Sequence, residues 1–147
     1  MPAPTAELLG RLVFLAGAGQ IVLIAASLAI PRVLGWREQT AAMRPLTRQV
    51  FWTYAAYIWF TNLCFGLVSA LAPHWLLDRS PLAGAVTAFI AAYWGARVLI
   101  QFFYFDRSDA PSGALVRLAE VALVGLFVYL TGVYAWAAVF NFHGAGR

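Results

Sequence analysis

"PLAGAVTAFIAAYWGARVLIQFFYF" (residues 81–105) decides the fold. After Pro81 it contains one charge, Arg97, and it does not alternate between apolar and polar positions. It exceeds the roughly 20 residues that carry a helix across a hydrocarbon core of ~30 Å, and it is far too long for a membrane strand of about ten residues. Gly84, Ala88, Ala92 and Ala96 recur every four residues, and Ala83, Thr87, Ala91 and Gly95 form a second row beside them. Small residues at this spacing let helices approach closely where no hydrophobic driving force separates helix from lipid. The stretch predicts a transmembrane helix with one smooth face.

The rest of the chain repeats the pattern. Apolar runs without charge occupy residues 12–30, 50–72 and 121–142, the first two ending at Pro31 and Pro73. With the first stretch they predict four spans at about residues 8–30, 50–72, 82–105 and 114–142, the last opening with Arg117 and Glu120 in its first turns. Of the 147 residues, 63% are hydrophobic and 11% charged, against about 25% charge in a soluble domain. The expected fold is all-α: a polytopic membrane protein, residues 1–147 forming a single four-helix transmembrane domain. The N-terminal "MPAPTAELLGR" has no basic region, so the first run is expected to be a retained helix.

All ten basic residues are arginine. Arg32, Arg37, Arg44 and Arg48 fall in the first connection and Arg107 in the third, with Arg117 close by; Arg11, Arg79 and Arg147 fall on the other side. By the positive-inside rule, the first and third connections are expected in the cytoplasm and both termini outside, in a bacterial inner membrane. Trp36, Phe51, Trp52 and Tyr104 fit an inner aromatic belt, and Trp75, Tyr134 and Trp136 an outer one. "GWREQTAAMRPLTRQ" (residues 35–49) is expected to lie along the inner surface with Trp36, Met43 and Leu46 dipping inward, its arginines favouring anionic lipid.

Other spans carry shorter small-residue sets: Gly17, Gly19, Ala25 and Ala29; Asn62, Gly66 and Ala70; Gly125, Gly132 and Ala135. Gln20 and Asn62 fall near mid-span. An unpaired amide in hydrocarbon is costly, so both are expected to face other helices as interhelical polar residues, and a direct Gln20–Asn62 hydrogen bond is the simplest pairing.

Arg97 lies about 22 Å from Leu82 at 1.5 Å per residue, in the inner half of the span. Glu120, entering from that side on the fourth helix, is its expected ion-pair partner. Tyr54, Tyr57 and Gln101 come at similar depth, so Arg97, Glu120, Tyr54, Tyr57 and Gln101 form the candidate polar or ligand cluster. Above them, Trp59, Tyr93 and Trp94 beside the Gly/Ala face form a candidate lipophilic pocket for a bound lipid, quinone or carotenoid.

Other chemistries find little here. Cys64 is the single cysteine, so no intrachain disulfide is available. His74 and His143 make no metal signature, and no HExxH, GxSxG, P-loop or GxGxxG occurs. No acid falls at mid-span to drive proton-coupled export, and nothing beyond the basic loop points to nucleic acid. No catalytic residue or metal ligand is assigned. The expected role is a non-catalytic subunit in the lipid bilayer, packing against other membrane subunits or itself through Gly/Ala faces and binding lipid or a lipophilic cofactor. The alternative is a small membrane enzyme or carrier for an isoprenoid, quinone or lipid substrate.

Overall fold

The computed structural model describes residues 3–105 and 113–144. The charges expected in the third connection (Asp106, Arg107 and Asp109) and Arg147 lie outside the described residues. The elements are α1 (Ala3–Ser27), α2 (Ile30–Val33), α3 (Trp36–Ala41), α4 (Pro45–Leu71), a 3-10 turn (Pro73–Leu77), α5 (Pro81–Phe103) and α6 (Ala114–Gly144). No strand occurs among the described residues. Four segments, Thr5–Val33, Pro45–Leu71, Pro81–Phe103 and Ala114–Gly144, are long and apolar enough to cross a membrane.

Proline places the helix starts. Pro45 and Pro81 occupy the first turns of α4 and α5, where the missing N–H has no helical partner to lose. The Ser80 hydroxyl caps α5 by accepting the Ala83 N–H at 3.0 Å. Two boundaries differ from expectation. Pro31 does not end the first apolar segment but sits in the first turn of α2, which extends that segment to Val33. Likewise α4 begins at Pro45 rather than near residue 50, so Arg48 and Gln49 are helical.

The long helices form two antiparallel pairs, α1 with α4 and α5 with α6, and the pairs meet chiefly through α1 and α6. Helix α1 turns Leu9, Val13, Ala16, Gln20 and Ile24 inward, and α6 turns Phe127, Leu130, Tyr134, Ala137 and Asn141 inward. Spacings of three and four keep each set on one helical face. The outer faces are also apolar, up to Phe103 at 84% exposure. A helix apolar all round needs a non-aqueous environment on its outer side.

Some of the small-residue rows lie at helix contacts. A Cβ on Gly17 would stand 2.5 Å from the Ala70 backbone nitrogen and 2.8 Å from the Gly66 oxygen, so α1 and α4 touch backbone to backbone. On α5, Ala83, Gly84 and Thr87 are buried while Ala92 and Ala96 face outward. Nothing lies within 4 Å of a Cβ built on Gly125 or Gly132. The expected packing row of α6 therefore looks away from the bundle.

One end of the bundle gathers the 3-10 turn, the start of α5 and the end of α6. Asn141, fully buried, donates to the Leu76 carbonyl at 2.9 Å and accepts the Arg79 N–H at 3.1 Å. Arg79 is held at φ 62°, a region that costs a side-chain-bearing residue about 1–3 kcal/mol. Its guanidinium rests 4.7 Å over the Phe140 ring. Asp78 closes the turn by accepting the Ser80 N–H at 2.8 Å. Hydrogen bonds from the Ser80 side chain and then its backbone hold the Asp78 carboxyl below its usual range.

Candidate functional site

Each of the four long helices contributes one polar side chain to a cluster at the centre of the bundle. The Trp94 indole N–H donates to Gln20 Oε1 at 3.2 Å. Gln20 Nε2 donates to Tyr134 Oη at 2.7 Å and to the Ala16 carbonyl at 3.3 Å. Tyr134 Oη and Ser69 Oγ lie 2.5 Å apart. None of the four residues is more than 1% exposed. Indole can only donate, which fixes the Gln20 carbonyl toward Trp94 and its amide toward Tyr134. Tyr134 then donates to Ser69, because accepting from both neighbours would leave its own hydrogen without an acceptor. Every polar atom of the Gln20 side chain is used.

This network replaces the expected Gln20–Asn62 bond. Gln20 lies opposite Gly66, with a Gly66 Cβ 3.3 Å from its own. Asn62 is one helical turn before Gly66 on α4, so the α1/α4 register separates the two amides. Asn62 lies instead near Tyr93, and its Oδ1 is buried without a hydrogen-bond partner. Tyr134, expected in an outer aromatic belt, is fully buried.

The expected Arg97–Glu120 ion pair is also absent. The half-buried Arg97 guanidinium lies 5.0 Å over the Phe105 ring and 5.2 Å over the Phe127 ring. Gln101, one turn along α5, reaches Glu120 at 3.5 Å. The antiparallel register of α5 and α6 thus sets Gln101 level with Glu120 and Arg97 level with Phe127. Two aromatic faces stabilise a desolvated cation by about 2 kcal/mol each or less. The structure brings Arg97, Gln101 and Glu120 to one end of the α5/α6 pair, but not the two tyrosines. Tyr54 and Tyr57 are 64% and 65% exposed on α4, and no hydrogen bond joins them to that group, because α4 packs on α1 and meets α5 through Phe65 against Phe89 and Tyr93.

The three candidate pocket residues make different contacts. Trp94 is enclosed and stacks on Phe127 at 5.2 Å. Tyr93 sets its ring edge-on to Trp94 and Phe65. Trp59 turns to α1, its N–H 3.4 Å from the Ile24 carbonyl. Among the described residues no three His, Cys, Asp or Glu side chains gather as for a metal.

Two cavities lie where α2 and α3 fold over the start of α4. Trp36 packs edge-on against Phe51 at 5.1 Å and Trp52 at 6.1 Å. Thr40, buried, donates to the Trp36 carbonyl at 2.7 Å and accepts from the Trp52 indole at 3.4 Å. Of the three residues expected to dip toward the membrane, Trp36 is partly covered by this packing, and Met43 and Leu46 present apolar side chains outward. Under this strap a cavity of about 230 Å³ is lined by Arg37, Thr40, Arg48 and Trp52. A second of about 380 Å³ is lined by Leu28, Pro31, Arg32, Arg37, Glu38 and Trp52. Arg37 and Trp52 line both. Among the described residues, Arg32, Arg37 and Arg48 make no ion pair.

No protein-family model, curated protein or solved structure matches this chain. Functional reasoning therefore rests on the chain's own geometry. Ser69 and Asn141 give no signal in the sequence, since a serine or asparagine near a span end reads as ordinary. The convergence of three arginines of the first connection around these cavities was equally unreadable, because it depends on how α2 and α3 fold back.

Proposed function

We propose that the chain is a small integral membrane protein with a non-catalytic role, a subunit that packs against another membrane chain and holds lipid at its surface. One observation carries this: the fully buried polar side chains of the interior are spent on holding helices together. Gln20, Ser69, Trp94 and Tyr134 satisfy one another, and Asn141 ties the 3-10 turn to α5 and α6. Meanwhile Ala92, Ala96, Gly125 and Gly132 lie outward, where small residues favour a close helix neighbour.

Native mass spectrometry after extraction in mild detergent tests the proposal. A stoichiometric second chain is expected, and replacing Gly125 and Gly132 by leucine is expected to release it. A lone chain retaining an isoprenoid, quinone or similar molecule would favour a carrier or enzyme instead. That second reading has its own support in the partnerless Asn62 Oδ1 beside Tyr93, one turn from Arg97.

The arginine distribution supports an inner-membrane placement with the first connection in the cytoplasm and both termini outside. In a Cys64→Ser background, an Arg44→Cys variant is expected to react with a membrane-impermeant thiol reagent in inverted vesicles and not in intact cells. Labelling in intact cells would reverse the orientation.

A further inference from the structure

We propose that the groove between the α2–α3 strap and the start of α4 binds the phosphate of an anionic membrane lipid, with Arg37 as the central cation. The proposal rests on membrane insertion but not on the chain's being a subunit. The segment Thr5–Val33 has 29 residues, more than the roughly 20 that cross a hydrocarbon core. With the arginines Arg32 and Arg37 in the headgroup layer, Leu28 and Pro31 just before them fall at its acyl boundary. Trp52 lies seven residues into α4, about 10 Å from its start. The groove therefore runs from the polar layer toward the acyl edge.

Its chemistry fits a phosphodiester. Arg32, Arg37 and Arg48 bring three guanidinium groups to the lining against a single acid, Glu38. None of the three is ion-paired among the described residues, Glu38 included. Guanidinium forks match phosphate oxygens bidentately. Trp52 makes a rigid wall because Thr40 holds its indole N–H and Trp36 packs on its ring. Leu28 and Pro31 supply an apolar edge that a free phosphate leaves unused and a lipid's glycerol and acyl start would cover. The larger cavity, about 380 Å³, lies within the roughly 300–1,000 Å³ typical of small-molecule sites.

The test uses the full chain in nanodiscs or mild detergent doped with phosphatidylglycerol or phosphatidylcholine, with bound lipid counted by native mass spectrometry. Phosphatidylglycerol is expected to be retained in preference to phosphatidylcholine. Arg37→Gln is expected to weaken retention roughly tenfold. Arg44→Gln, on the same connection but outside the groove, is expected to leave it unchanged. Equal losses in the two variants would mean diffuse surface charge and overturn the site. Equal retention of the two lipids would overturn it as well. Inorganic phosphate at matched concentration is expected not to displace the lipid; full displacement would assign the groove to a soluble phosphate and overturn the lipid assignment. Because lipid is counted on the isolated chain, failure here leaves the subunit proposal standing, and the absence of a partner chain leaves this one standing.

Discussion

Replacing Gly17 by alanine is expected to destabilise the bundle by about 1–3 kcal/mol, the range for overpacking a tight contact. A methyl group there would meet the Ala70 nitrogen, the Gly66 oxygen and the Ser69 carbonyl carbon at 2.5–2.8 Å. All three are backbone atoms of α4, and backbone within a helix has no rotamer to yield. The helices must move apart, and Gln20, nearly one turn along α1, is drawn away from Tyr134 at the same time. Gly84 provides the control. Its added methyl would meet the Phe142 ring at 2.7 Å, but Phe142 is 53% exposed and its ring can swing outward. Alanine also gains up to about 1 kcal/mol of helix propensity over glycine at either position, so Gly84→Ala is expected to be near neutral. Denaturant titration in micelles would show the contrast. A Gly17→Ala protein as stable as its parent would mean that α1 and α4 do not meet through their backbones.

The four helices were legible because their signal is long and redundant. Some twenty apolar residues admit few alternatives, and Pro45, Pro73 and Pro81 mark the breaks whatever the helices do next. The smooth face of Gly66 and Ala70 was legible too, since spacing by four places small residues on one face, but that Gly17 meets it was not. Gly125 and Gly132 show the limit of that argument: a small row says that a face is smooth, not that a neighbour within the same chain fills it.

Both expected polar pairings failed by the same distance. Position along the span pairs Gln20 with Asn62, both near mid-span, and Arg97 with Glu120 at similar depth. In each case the structure shifts the pairing by about one turn, roughly 5.4 Å. Span ends read from sequence are uncertain by several residues, as the start of α4 at Pro45 instead of residue 50 illustrates. A hydrogen bond tolerates about 0.5 Å. Sequence therefore places a polar residue at the right level of the bundle but leaves its partner undetermined. What replaced the expected partners is instructive. Gln20 found two other helices at once, and Arg97 found aromatic faces, which have no sequence signature distinct from ordinary apolar packing.

Gln20 is the second position where one substitution has a large expected effect. Leucine at this site nearly preserves volume but removes both the acceptor for the Trp94 N–H and the donor to Tyr134 Oη. The indole N–H would be left in a fully buried site, where an unsatisfied donor costs about 1–3 kcal/mol. Hydrogen bonds between membrane helices average only about 0.6 kcal/mol, because in the unfolded state a lone helix finds substitute partners. Gln20 should exceed that mean, since one amide serves two other helices and no water reaches the site to replace it. The expected loss for Gln20→Leu is therefore about 2 kcal/mol by denaturant titration. Tyr134→Phe removes the link from Gln20 to Ser69 and should cost about 1 kcal/mol or more. In the double variant the two losses should fall short of their sum by about 0.5–1 kcal/mol, as for residues sharing one network. Strict additivity would mean that Gln20 and Tyr134 act on the fold independently, and that the four polar side chains at the bundle centre are neighbours without being a unit.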